Sequence, residues 1–139
     1  METVFINDFV TASYNNRQAL LSLDWNLDTT FLKPLKFKDT LMKVTERVEK
    51  LDVKRLLINT SSFDFVIDPR MQEWLSAEFN QRFAKAGLEK MAIVLPEAVF
   101  VQVAIEQTVQ EVKKKAEVST FEVLQVDDLA KAQQWLLID

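Results

Sequence analysis

The sequence predicts an α/β domain with a mixed five-stranded sheet and four helices. Two sequence patterns and the size of the chain support this prediction. Two strand-like runs near the start are joined by a turn rich in asparagine, as in an antiparallel hairpin. Short apolar runs then alternate with amphipathic segments, as in parallel strands joined by right-handed helical crossovers. The chain has 139 residues, of which 48% are hydrophobic and 27% are charged, and this size and composition are typical of a single domain covering residues 1–139.

The predicted strands and the first helix follow in order along the chain. The five strands are short apolar runs bounded by polar or turn residues, and they cover residues 9–14, 19–25, 55–59, 91–95 and 120–126. Residues 26–36 contain Pro34 among several apolar residues, so we expect a loop that packs onto the body of the domain. The first helix is predicted beyond this loop, because apolar residues recur three and four apart at Phe37, Leu41, Val44, Val48 and Leu51.

Both ends of the second helix are marked in the sequence. Asp68 and Pro69 match an N-cap followed by the first helical position, because aspartate accepts hydrogen bonds from free amides and proline has a suitable fixed φ. Gly87 is the only glycine in the chain, and we expect it to end this helix in the left-handed conformation. Leu88 would then contact Phe83, as in a Schellman motif.

Two further helices complete the prediction. The third begins at Pro96, and its inner side consists of residues at helical spacing, Val101, Ile105, Thr108 and Val112. Asp127 is predicted to cap the fourth helix, whose inner side consists of Leu129, Ala132 and Leu136.

Four stretches of the sequence, together with this order of elements, resemble a known family. The stretches are residues 56–59, 68–75, 86–96 and 127–136. They resemble the SpoIIAA-like branch of the STAS domains, which also carries the SEC14-like label, over essentially the whole chain. The resemblance implies a SpoIIAA-like scaffold with a role in protein interaction or regulation.

The same resemblance bears on one regulatory residue. In STAS anti-sigma-factor antagonists, an Asp-Ser pair opens the helix after the third strand, and phosphorylation of the serine switches partner binding. Asp68 matches the aspartate, but Pro69 stands in place of the serine. The resemblance therefore implies an interaction module without the usual phosphoacceptor.

Missing residue types narrow the possible chemistry. The chain has no cysteine and no histidine, which excludes disulfides, thiolate catalysis, cysteine-ligated metals and a Ser-His-Asp triad. One glycine cannot form a glycine-rich phosphate loop. We therefore predict a protein that is not an enzyme and uses no cofactor or metal. An enzyme built on carboxylates alone is the least favoured alternative.

Charge and hydropathy narrow the possible partners. A net charge of -4 and a pI near 5.0 give no basic surface for phosphate backbones, so nucleic acid is not an expected partner. No apolar run has membrane-spanning length, and the N-terminus lacks the basic and apolar start of a signal peptide. We expect a cytoplasmic protein without membrane insertion.

Polar residues predicted at the carboxyl ends of the parallel strands form one candidate site. Ligands of open α/β sheets bind at this edge, and the candidate residues are Asn59, Ser61, Ser62, Asp64 and Asp68. Their oxygens could hold a hard cation or a small polar ligand. Loops and helix caps use the same residue types, and this structural interpretation is the favoured one.

A second candidate lies on the third helix, where an apolar patch interrupts a polar side. The patch consists of Val99, Phe100 and Val103. It is interpreted either as a surface for a protein partner or self-association, or as the wall of a pocket for a small apolar ligand, or as residues covered by a loop. The leading hypothesis is a non-catalytic STAS-like interaction module that forms homo-oligomers. The alternative is a carrier or sensor of a small apolar, lipid-like ligand.

Overall fold

The structure is a computed structural model that describes residues 2–26, 32–62, 69–95 and 121–138. A single six-stranded sheet runs through this part of the chain, and its strands lie in sequence order. The strands are β1 (Glu2–Ile6), β2 (Val10–Asn15), β3 (Leu20–Trp25), β4 (Arg55–Asn59), β5 (Lys90–Val94) and β6 (Glu122–Val126). The pairs β1–β2 and β2–β3 are antiparallel, and β3 to β6 are parallel. The predicted class, an α/β fold with a hairpin followed by parallel strands, is confirmed.

Three helices are described, and they are α1 (Pro34–Lys50), α2 (Pro69–Ala86) and α3 (Leu129–Leu136). Between β5 and β6, the predicted third helix falls within 96–120, outside the described residues. Helix α1 begins three residues before the predicted Phe37, because Pro34 occupies its first turn, where proline needs no amide partner. The predicted loop at 26–36 therefore includes the first residues of a helix.

The sheet has one strand more than predicted, and the extra strand is β1. A bulge interrupts its pairing with β2 between Thr3 and Phe5. As a result the neighbours Val4 and Phe5 both pack against the same hydrophobic core. Strict alternation of apolar and polar residues is the pattern that identifies a strand in a sequence. A bulge interrupts this alternation, so the strand was not recognised.

The two faces of the sheet carry separate cores. On the first face, residues in register such as Leu21, Leu56 and Met91 pack with residues of α1 and α2. The predicted α1 stripe is confirmed there, since Phe37, Val44 and Val48 are buried and Leu41 and Leu51 are partly buried against this core. On the second face, a smaller core joins Leu20, Leu57, Ala92 and Val94 to Ala132 and Leu136 of α3.

The end of α2 agrees with the Schellman prediction. Gly87 has a φ of +88°, a conformation that side chains with a Cβ atom rarely adopt. The amide of Leu88 donates to the carbonyl of Phe83, and the amide of Gly87 donates to the carbonyl of Ala84, both at 3.1 Å. These are the two hydrogen bonds that define the motif.

The start of α3 differs from the prediction in two ways. Its N-cap is Asp128, whose Oδ1 accepts a hydrogen bond from the amide of Ala130 at 2.8 Å, so the prediction of Asp127 was wrong by one residue. Leu129, predicted to face inward, is exposed, whereas Ala132 and Leu136 are buried as predicted. Ala132 and Leu136 join the smaller core from the middle and end of the helix, with the half-buried Trp135 packed against it.

Candidate functional site

The carboxyl edge of the sheet brings two of the predicted polar residues together and adds a third. Parallel pairing places Asp24 of β3 beside Asn59 of β4, and Asn59 Nδ2 donates to Asp24 Oδ1 at 3.1 Å. Asn59 Oδ1 in turn accepts from the amide of Ser61 at 3.1 Å and from its hydroxyl at 2.7 Å. Asp24 was not predicted for this site, because its proximity to Asn59 depends on the order of strands in the sheet.

The neighbouring polar residues have different surroundings. Thr60 is buried, and both its amide and its hydroxyl donate to the carbonyl of Val94 on β5. Ser62 is half-buried in the turn after β4. Asp64 and Asp68 lie outside the described residues. The described part of the predicted site is therefore a short network at the ends of β3, β4 and β5.

The described network offers few groups that could bind a ligand. The oxygen of Asn59 already accepts two hydrogen bonds, and among the described residues of the site Asp24 supplies the one carboxylate. In the described ranges, no three side chains among His, Cys, Asp and Glu come together. Hard cations such as Ca²⁺ take about six to eight oxygen ligands, so these few residues alone do not form such a site. Their contacts are those of strand ends and turns.

The second face of the sheet is partly occupied by α3. Among the described elements, this helix packs against β4, β5 and β6. The second-face residues of the neighbouring strands β1 to β3 include Ile6, Thr11, Ser13, Ser22 and Asp24. Thr11 and Ser13 are half-buried, Ser22 is buried, and Asp24 and Ile6 are exposed.

The outer side of α3 and the residues after it expose an unusual amount of apolar surface. The exposed fractions are 40% for Leu129, 43% for Leu137 and 60% for Ile138. We call these three residues the α3 patch. Only Ile6 and Leu35, at 65% and 83%, are comparable large hydrophobic residues in the part of the chain that the structure describes. The sequence prediction missed the patch because Leu129 shares the helical period of the buried residues.

A lysine on the sheet fixes the end of α3. Lys90 Nζ donates to the carbonyl of Trp135 at 3.1 Å and to the carbonyl of Ile138, and it lies 5.0 Å from the centre of the Trp135 ring. A cation at this place complements the partial negative charge at the C-terminus of a helix. The α3 patch is thus held in a defined position on the second face.

The predicted interaction surface on the third helix falls on residues that the structure leaves out. Val99, Phe100 and Val103 all lie outside the described residues. That surface stays a prediction. Of the helices that the structure describes, none combines the length and the apolar character needed to cross a bilayer.

Comparison with models of protein families, with curated proteins and with solved structures gives no match. What the structure establishes about the class of this protein is its fold. The described part of the chain has a mixed six-stranded sheet, with α1 and α2 packed on one face and α3 on the other. The resemblance to STAS domains stays a prediction from sequence.

Proposed function

We propose that this protein is a non-catalytic, STAS-like interaction module, and that a protein partner binds its α3 patch. The single observation that carries the proposal is the clustering of exposed Leu129, Leu137 and Ile138 on one short segment. Several exposed large hydrophobic residues within one ten-residue segment favour a binding site for another macromolecule. Scattered single residues such as Leu35 need no such explanation.

The distribution of charge supports the same surface. The exposed side of α1 is densely charged and includes Lys36, Asp39, Lys43, Glu46 and Glu49. Helix α3 contains one charged residue, Lys131, and its other exposed positions include Ala130, Gln133 and Gln134. The centres of protein interfaces are depleted of charged residues, whereas solvated helix sides are rich in them.

The non-catalytic part of the proposal is supported by the composition of the chain and by the contacts at the strand ends. Without histidine and cysteine, the chain lacks the side chains that most often act as general base or nucleophile. The polar groups of Asn59, Thr60 and Ser61 are engaged with their neighbours. These groups stabilise the edge of the sheet. We therefore assign the binding of a protein partner to the α3 patch.

Site-specific photo-crosslinking in cells tests the proposal. A photoreactive amino acid at Leu137 should give one discrete protein adduct, because this position lies at the proposed contact. The same amino acid at Lys43, an exposed position on α1, is the matched control and should give none. If Leu137 and Ile138 both yield no protein adduct while the variants remain folded, the α3 patch is not an interaction surface.

A further inference from the structure

We infer that the hydrogen bond from Arg47 to the backbone of β1 is autoinhibitory: it keeps this strand from pairing with β1 of a second copy of the chain. The inference concerns the end of the sheet that β1 forms, and it does not rest on the proposed function. Helix α1 supplies the arginine, whose Nε donates to the carbonyl of Val4 at 3.1 Å. The two residues are 43 positions apart in the chain, so the contact is made by the tertiary fold.

Strand β1 is an edge of the sheet. In the described part of the chain it stands first in the order of strands and pairs with β2 alone. Its residues from Thr3 to Ile6 are β-branched or aromatic, the types that are enriched in strands. An edge of this kind is a template to which another chain can add a strand, unless the protein prevents it.

Part of the β1 backbone is directed away from β2. The amide of Asn7 donates to the carbonyl of Val10 at 3.0 Å, next to the paired residues Ile6 and Thr11. In an antiparallel ladder, a pair beside such a bond exchanges no hydrogen bonds of its own, and its N–H and C=O groups point outward. The backbone groups of Ile6 are therefore directed to the side where an incoming strand would bind. Its side chain is 65% exposed.

Two features block this edge at the same residue. The pairing of β1 with β2 shifts between Thr3 and Phe5, so Val4 is the extra residue of a bulge. The carbonyl of Val4 is occupied by Arg47, and a strand that paired along this edge would have to displace the half-buried guanidinium from its acceptor. Bulges and inward-pointing charges are devices that keep sheet edges from pairing. The charge is the one of the two that a single substitution removes.

Sedimentation velocity of the purified full chain over a range of concentrations tests the inference. Arg47→Ala should self-associate with a dissociation constant about tenfold lower than that of the wild type, because one competing hydrogen bond from a charged donor is lost. Arg47→Lys should behave as the wild type, since an ammonium can also donate to the carbonyl of Val4. Arg82→Ala is the matched control, because it removes the same charge and breaks a contact between α1 and α2, and it should not increase association.

Variants at Ile6 show whether the association uses β1. In the Arg47→Ala background, Ile6→Pro removes an outward N–H and no bond to β2, whereas Ile6→Lys keeps the backbone and puts a charge on the edge. Each should return self-association to the wild-type level. Circular dichroism checks folding, and Ile6→Lys decides the question if the proline variant is unfolded. The inference is overturned if Arg47→Ala associates no more than the wild type, if Arg82→Ala associates equally, or if the association persists in the folded Ile6 variants.

Discussion

Arg82 on α2 donates two hydrogen bonds to the carboxylate of Glu49 on α1, from Nε at 3.1 Å and from a terminal nitrogen at 2.6 Å. The other terminal nitrogen contacts the sulfur of Met42 at 3.5 Å. This forked contact joins the two helices of the first face, remote from the α3 patch. The hydrogen bond from Arg82 holds the pKa of Glu49 below its ordinary value.

Glu49→Gln should lower the free energy of unfolding by about 0.5 kcal/mol at neutral pH, a small effect because the pair is partly exposed. The folded-state pKa of Glu49 lies below its unfolded value, so the stabilisation is present above the unfolded pKa and is lost as pH falls through the folded pKa. Urea denaturation at neutral and acid pH should therefore give a difference that disappears in acid. Glu73→Gln, an exposed carboxylate on α2, is the control, and an equal effect there would contradict the prediction.

Gly87→Ala should destabilise the protein by about 1–2 kcal/mol, because the residue must keep a left-handed backbone conformation. A Cβ atom at this position would also come within 2.9 Å of Lys54 Nζ, but that atom ends a flexible side chain that can move. The thermal midpoint should therefore fall equally in Gly87→Ala and in the double variant with Lys54→Ala. Recovery of the midpoint in the double variant would show that contact with the lysine is the cause.

Lys90→Met should loosen α3 while leaving α1 unchanged, because it removes a charged donor from two carbonyls at the end of α3. Hydrogen bonds to charged groups contribute about 1.5–3 kcal/mol, so amide exchange in α3 should accelerate at least tenfold. Mass spectrometry of hydrogen exchange measures both helices in one experiment. Lys85→Met in the last turn of α2 is the matched control, and unchanged protection of α3 in Lys90→Met would exclude the proposed anchoring.

Thr60→Val should cost about 1 kcal/mol of folding free energy, because a buried hydroxyl bonded to the carbonyl of Val94 is replaced by a methyl group. Ser61→Ala, at an exposed position one residue further along, should change the free energy by less than about 0.5 kcal/mol. Chemical denaturation measures both. A larger loss for Ser61 than for Thr60 would mean that the strand-end network has been misinterpreted.

The parts of the fold that were predicted correctly are those that a pattern within one short stretch of the sequence identifies. Helix α1 was found because its apolar residues, among them Phe37, Val44 and Val48, follow the helical period and are buried as that period requires. The end of α2 was found because the only glycine is followed by an apolar residue. Strand β1 was missed because its bulge places Val4 and Phe5 on the same side.

The site residues that were missed depend on relations between distant parts of the chain. Asp24 meets Asn59 because β3 and β4 are neighbours in the sheet, and no local pattern encodes that pairing. Leu129 has the same helical spacing as Ala132 and Leu136, yet it is exposed because the helix meets the sheet only at its later residues. Periodicity identifies the side of a helix that can be buried, whereas the sheet beneath it decides which residues are buried.

The most direct measurement of the central claim compares how fast a thiol at residue 137 reacts inside cells and in the dilute purified protein. The chain has no cysteine, so Leu137→Cys and Lys43→Cys each carry a single reactive thiol. If a protein partner covers the α3 patch, a maleimide should modify residue 137 more slowly in cells than in the purified protein, relative to residue 43. An equal change in rate at the two positions would contradict partner binding at the α3 patch.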